Sequence, residues 1–229
     1  MDLFTGCFEG GVYVLAGKKE GGYASPEPLK DRAGRILRLG QYWDYERKAW
    51  TGVADSKFKD FLGIGVASVD WDADGDLDLV IGSNDGHLFV RQNEGTSNKP
   101  AFATESTEIL AGKTALRVPG EHLIPFVVDW NGDGLFDVLS GGGEGGVFWF
   151  ANVGKKGAPE FAAPQTVIEP KRGAAAPGEP TWPGTRTQVC ATDFDGDGDL
   201  DLLVGDYNEQ QAGGQQSARH GWVWLFRRK

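Results

Sequence analysis

Three nine-residue stretches of this 229-residue chain concentrate thirteen aspartates. They are Asp70-Trp71-Asp72-Ala73-Asp74-Gly75-Asp76-Leu77-Asp78, Asp129-Trp130-Asn131-Gly132-Asp133-Gly134-Leu135-Phe136-Asp137 and Asp193-Phe194-Asp195-Gly196-Asp197-Gly198-Asp199-Leu200-Asp201. Side-chain oxygens at positions 1, 3, 5 and 9, with glycine at position 6, form an oxygen cage for a hard divalent cation. Asp76, Leu135 and Asp199 complete the three candidate sets, Leu135 through its backbone carbonyl. Five aspartates in nine residues repel one another unless a cation lies between them. Calcium suits such a cage, because it accepts many oxygen ligands, backbone carbonyls included, in flexible geometry. The other reading is an acidic turn with no metal.

An EF-hand is excluded. That loop needs a bidentate glutamate at position 12 and a helix on each side, whereas position 12 here is Ile81, Ser140 or Val204. The flanks are short and β-branched, as in Leu77-Asp78-Leu79-Val80-Ile81, so they read as strands. Each loop is therefore expected to join the two strands of a β-hairpin.

Those hairpins must be held in place by a repeat. After the ninth position come Leu79–Gly82, Val138–Gly141 and Leu202–Gly205, and the segment Asp2-Leu3-Phe4-Thr5-Gly6 matches them. Asp2 thus stands as the ninth residue of a fourth loop, which leads us to expect three cation sites. A turn ending in Gly11, Gly86, Gly146 or Gly221 precedes a further strand, Val12–Leu15, His87–Val90, Val147–Phe150 or Trp222–Leu225. In the two middle units, Pro100–Phe102 and Pro159–Phe161 lead toward a fourth strand. The ninth positions are 76, 59 and 64 residues apart. Four strands per unit at this period predict an all-β propeller of about four blades. The expected units are a partial blade over 1–39 and blades over 64–110, 124–169 and 187–229. Leu79, Ile81, Phe89, Val138, Phe148, Leu203 and Trp224 are expected to pack between them. So are Trp71, Trp130 and Phe194, which share position 2 of the loops.

Composition agrees. The 35 glycines far exceed the usual share of about 7%, as tight turns between regular strands require. The net charge of −10 comes largely from the loops, and three calcium ions would leave about −4. That acidity argues against a nucleic-acid partner, for which a basic patch is expected. Cys7 and Cys190 make neither a disulfide framework nor a zinc site. They pair only if the first and last units touch; otherwise they are buried thiols. No segment reaches the roughly 20 apolar residues of a membrane span, and Met1–Gly6 lacks the basic and apolar regions of a signal peptide.

The Asp-x-Asp-x-Asp-Gly-x-x-Asp hairpin, the Leu-Val-Ile-Gly strand and the Gly-x-Leu-Phe strand resemble FG-GAP/VCBS repeats, which build calcium-binding propellers like the head of integrin α subunits. The resemblance spans nearly the whole chain. It implies calcium in the hairpin loops, an extracellular, periplasmic or cell-surface location, and a role in adhesion or in binding carbohydrate or protein. Such propellers usually have seven blades. This chain would be a fragment, would close a ring with other copies, or would close as four blades.

In such a design the loops lie on one face, while the turns between second and third strands lie with the links on the other. Loops on a rigid scaffold commonly bind ligands. Tyr42, Trp43, Tyr45 and Trp50 in an aromatic link, Trp182 in a Pro/Gly-rich link, and Tyr207 and His220 around a long insertion could form a sugar or peptide surface. Alternatively, they fold inward. A glycosidase needs two carboxylates facing across a cleft; Asp44, Glu46, Glu144 and Glu209 offer carboxylates without a pairing. His87, His122 and His220 show no catalytic spacing. The chain is expected to be a calcium-binding extracellular binding or adhesion module, with no catalytic residue. The alternatives are a calcium-stabilised carbohydrate-active lyase or hydrolase and a structural spacer.

Overall fold

A computed structural model of the chain describes residues 2–7, 10–52, 65–170, 182–210 and 218–229, with the side chains of 42, 43, 208–210 and 218–220 outside the described set. Strand follows strand and no helix occurs among these residues. The first sheet holds β1 (Leu3–Gly6), β2 (Val12–Leu15) and β3 (Glu27–Pro28) in chain order. A separate hairpin pairs β4 (Gln41–Asp44) with β5 (Ala49–Gly52). The second sheet is the four-stranded meander β6 (Gly65–Val69), β7 (Asp78–Gly82), β8 (Leu88–Arg91) and β9 (Thr107–Glu108).

A small hairpin of β10 (Leu110–Ala111) and β11 (Thr114–Ala115) leads to the third sheet. That sheet is the meander β12 (Pro125–Val128), β13 (Asp137–Gly141), β14 (Val147–Phe150) and β15 (Gln165–Ile168). The fourth holds β16 (Thr185–Thr192), β17 (Asp201–Gln210), β18 (Ala218–His220) and β19 (Val223–Phe226), with both β18 and β19 paired to β17. The expected all-β class and the antiparallel units are therefore present.

Successive sheets stack face to face, and the alternation of side chains along each strand explains why. On β7, Leu79 and Ile81 point toward the first sheet, where they meet Val12 and, from the segment following that sheet, Leu37 and Leu39. Val80 points the other way and joins Val138, Phe148 and Phe150 of the third sheet. On β13, Leu139 turns toward Val189, Ala191, Leu202 and Val204 of the fourth. A middle sheet must be apolar on both faces, so β7 and β13 are buried along their whole length. Each fully buried Leu, Ile or Phe contributes roughly 1.5–3 kcal/mol.

Very close approach at these junctions requires glycine. A methyl group on Gly82 would lie 2.1 Å from the Leu123 carbonyl oxygen, and one on Gly141 would lie 1.9 Å from that of Thr187. Arg91 is fully buried where the equivalent residues are Leu15, Phe150 and Phe226. Its guanidinium donates to Ser106 Oγ at 2.8 Å, Ala103 O at 2.9 Å and Arg38 O at 2.7 Å. The last of these bonds ties the second sheet to the segment following the first. Burial lowers its pKa to about 10, which leaves it charged at neutral pH.

The structure changes several expectations. The aromatic segment Gln41–Trp50 is a regular hairpin, with Tyr42 opposite Thr51 and Trp43 opposite Trp50. Its strand residues Tyr42, Trp43, Trp50 and Thr51 are types that favour strands. The third-strand register is one residue off at His87 and Trp222: Gly6, Gly82, Gly141 and Gly205 face Val12, Leu88, Val147 and Val223. His87 therefore precedes its strand, its ring stacked on Phe89 and its Nδ1 against Glu108. Cys190 is exposed and Cys7 half-buried, both as free thiols, so they are neither paired nor fully buried. Trp71 and Trp130 pack as expected, but Phe194 is 54% exposed. Among the described residues the first and fourth sheets leave their outer faces open, with Leu3 42% and Val223 76% exposed, and the four sheets do not close on one another.

Candidate metal centre

Each aspartate loop joins the first two long strands of its sheet, at β6–β7, β12–β13 and β16–β17. The nine residues reverse the chain through two left-handed positions. Position 6 is Gly75, Gly134 or Gly198, with φ of 96°, 85° and 97°. Position 4 is Gly132 or Gly196 in two loops but Ala73 in the first, at φ 63°. An alanine there is strained, since its Cβ crowds the backbone.

The ninth aspartate clamps each sheet. Asp78 accepts the Trp71 amide at 2.9 Å and the Asn93 amide at 2.6 Å. Asp137 does the same with Trp130 and Asn152, at 3.2 and 2.7 Å, and Asp201 with Phe194 and Arg228, at 3.2 and 2.9 Å. These three carboxylates are almost wholly buried. Asp2 makes the matching bond, accepting the Gly17 amide at 2.8 Å, in keeping with its alignment to the ninth position. Each carboxylate oxygen has more than one lone pair, so the clamp leaves capacity for a cation.

Positions 1, 3 and 5 converge. Oxygens of Asp70, Asp72 and Asp74 lie within 4.8 Å of one another, as do those of Asp193, Asp195 and Asp197. In the second and third loops, position 1 also organises the turn. Asp129 accepts the amides of Gly132, Asp133 and Gly134 at 2.8–3.1 Å, and Asp193 accepts those of Gly196, Asp197 and Gly198 at 2.7–3.1 Å. Asn131 donates to Asp133 at 2.8 Å, whose other oxygen receives the Leu135 amide. Asp199 donates its amide to Asp197, and Arg227 stands 3.6 Å from Asp195.

The first loop differs. Asp70 Oδ1 and Asp76 Oδ1 are buried without a hydrogen-bond partner, and Asp76 is only 5% exposed. Burial first, then the charges of Asp74 and Asp72, raise the Asp76 pKa. A buried, unpaired carboxylate oxygen among like charges is costly, and a hard cation relieves both the burial and the repulsion. The donor set of the first loop therefore fits calcium. A test follows from the sign of the shift. A raised folded-state pKa makes this group's contribution to the cation-free fold largest at low pH and lost as pH rises through that pKa. Protons also compete for the ligand oxygens. The gap in melting midpoint between calcium and chelator should narrow steadily as pH falls from 7 toward the ordinary carboxylate range; a constant gap would contradict the assignment.

Two buried residues escaped sequence reasoning. Asn93 Oδ1 accepts the amides of Gly95 and Ala101, and Asn152 Oδ1 those of Gly154 and Glu160. They fix the link that brings Phe102 and Phe161 into the core. Their signal was an Asn-x-Gly at the same offset after Asp78 and Asp137.

At the end of the sheets away from the loops, second-to-third-strand turns and a link gather around a cleft of about 490 Å³. Asp85, Arg117, Glu121, His122, Glu144 and Arg186 line it. His122 and Arg186 are left-handed, at φ 64° and 49°, and such strain persists only where the surroundings impose it. Burial first, then Arg186, lowers the His122 pKa, so the imidazole is neutral at pH 7. The Arg186 guanidinium stands 5.6 Å over the half-buried Tyr207 ring. Of the aromatics expected on a ligand face, Tyr45 is 81% and Trp50 41% exposed. Trp182 instead packs edge-on against Phe226 and donates to Glu169 O. The side chains of Tyr42, Trp43 and His220 lie outside the described residues.

Stacked antiparallel sheets with an aspartate loop in their leading hairpins define a class of all-β repeat proteins. Within it, residues 129–204, about a third of the chain, match the FG-GAP-like repeat family. The match runs from position 1 of the second loop into the strand after the third, so this segment is similar to an FG-GAP-like repeat. No curated protein matches the chain. None of the helices required for a membrane span occurs among the described residues.

Proposed function

We propose that the chain is a calcium-stabilised binding module that works outside the cell, in the periplasm or at the cell surface, on a carbohydrate or protein ligand. The observation that carries the calcium reading is the pair of buried, unpartnered oxygens on Asp70 and Asp76 within a cluster of carboxylates. Asp70, Asp72, Asp74, Asp76 and Asp78 would hold one ion; the second and third loops would hold two more. The ion would supply charge neutralisation and rigidity. The FG-GAP-like repeat supports the extracellular part, since such modules meet millimolar calcium. The mixed-charge cleft and Tyr207, at the other end of the sheets, offer hydrogen-bonding and stacking groups suited to a polar ligand. The reading includes self-association, because the stack of sheets ends in open faces. It assigns no catalytic step.

Extracellular sites bind calcium with dissociation constants of about 10⁻⁴–10⁻³ M. At millimolar calcium three sites then stabilise the fold by about 1–4 kcal/mol together. Melting in millimolar calcium against chelator should separate the midpoints by several degrees. Asp72→Ala and Asp195→Ala should each remove one ion by isothermal titration, whereas Glu144→Ala should remove none. Coincident midpoints, with no heat of binding, would overturn the reading.

A further inference from the structure

We propose that the outer face of the fourth sheet docks onto the first sheet of a second copy of this chain, so that two chains join head to tail. Three internal junctions supply the rule. Phe4, Val80 and Leu139 occupy one register position of the second strand, and each packs toward the following sheet. Val12, Leu88 and Val147 do so from the third strand. The fourth sheet repeats these positions as Leu203 and Val223 and adds Leu225 at the position of Val90 and Trp149. Among the described residues no sheet packs on this face, and Val223 is 76% and Leu225 37% exposed.

Two further features repeat without their partner. Position 2 of each loop packs against the next sheet: Trp71 lies 5.6 Å from Phe136 and 6.0 Å from Phe161, and Arg228 lies 4.8 Å over Trp130. Phe194, at the same position, is exposed. Gly82 and Gly141 are glycines because the next sheet's backbone touches them, yet Gly205 keeps the glycine with nothing within 4 Å. The fourth sheet thus carries every element of a junction: apolar pair, aromatic and clearance.

The occupant is a second copy because the first sheet presents the matching half. Leu3, Tyr13 and Leu15 stand where Val138, Phe148 and Phe150 receive the preceding sheet. Leu3 is 42% exposed, and Tyr13 and Leu15 are half-buried. A contact between two different faces is heterologous and closes only if its rotation permits. Two chains supply eight sheets, within the range of about four to eight over which radially repeated sheets close. This deepens the self-association in the reading above without resting on the cation, so a monomer that still responds to calcium would overturn this inference alone.

Sedimentation equilibrium of the chain, from low micromolar concentration upward, should give a dimer. Val223→Glu with Leu225→Glu should yield a monomer, and so should Leu3→Glu. Mixing those two variants leaves one junction with both halves native, so association should return, weaker than in the unaltered chain. Circular dichroism checks that each variant is folded. Cys190, on the same outer face and opposite Leu203 in the register, supplies a reading that needs no variant: its alkylation should slow as the dimer forms. A monomer at every concentration, an alkylation rate independent of concentration, or a dimer broken by the fourth-sheet variant but untouched by Leu3→Glu would each overturn the proposal.

Discussion

Gly141→Ala should destabilise the protein by at least about 3 kcal/mol, whereas Gly205→Ala, at the same repeat position, should change the stability of the single chain by less than about 0.5 kcal/mol. The added methyl at 141 would lie 1.9 Å from Thr187 O and 2.7 Å from its Oγ1. Thr187 is itself buried, its hydroxyl donating to Gly146 O at 2.6 Å and accepting from the Gly142 amide at 3.0 Å. Relief would require the third and fourth sheets to separate, exposing Leu139, Val189 and Leu202. At Gly205 the methyl meets open space. Denaturant unfolding of the two variants, compared through their midpoints at unchanged slope, measures the contrast. Equal losses would mean that glycine is required by the strand and not by the junction.

Arg91→Met should cost about 3–5 kcal/mol, lowering the melting midpoint by roughly 6–20 °C. Methionine fills much of the space but donates nothing, so Arg38 O, Ala103 O and Ser106 Oγ lose their donor inside the protein. Stranded buried acceptors each cost about 1–3 kcal/mol. Arg91→Lys should recover only part of the loss, because one ammonium cannot reproduce the planar fork that reaches three acceptors. Thermal melts of the two variants in calcium test this; a methionine variant as stable as the parent would show that the bonds to Arg38 and Ala103 contribute nothing net.

Loop spacing was enough to find the hairpins, the repeat and the all-β class, because glycine at position 6 and aspartate at position 9 recur in every copy. Asp2 could be aligned for the same reason. The separate hairpin at Gln41–Gly52 was missed because it falls outside the repeat, where no second copy reveals its register. A glycine that opens a strand puts His87 and Trp222 at its first position, whereas hydrogen bonding sets Leu88 and Val223 there, opposite Gly82 and Gly205. Arg91 was illegible: an arginine at the end of a strand reads as exposed until the carbonyls that surround it are known. The difference between the loops was hidden too. Ten of their residues in the first and third copies are the same aspartates, yet Asp193 turns its oxygens to loop amides while Asp70 keeps one bare. The cleft around His122 and Arg186 has no motif, since its walls come from separate units.

The ninth-position aspartates hold the sheets by bonds to backbone amides that need no cation, whereas positions 1, 3 and 5 cluster apart from those bonds. The joint and the proposed fastener therefore meet only at position 9. Withdrawing calcium should loosen the hairpin tips while the strands stay paired, so the protein would soften by degrees, site by site, in the manner of a dimmer and not of a switch.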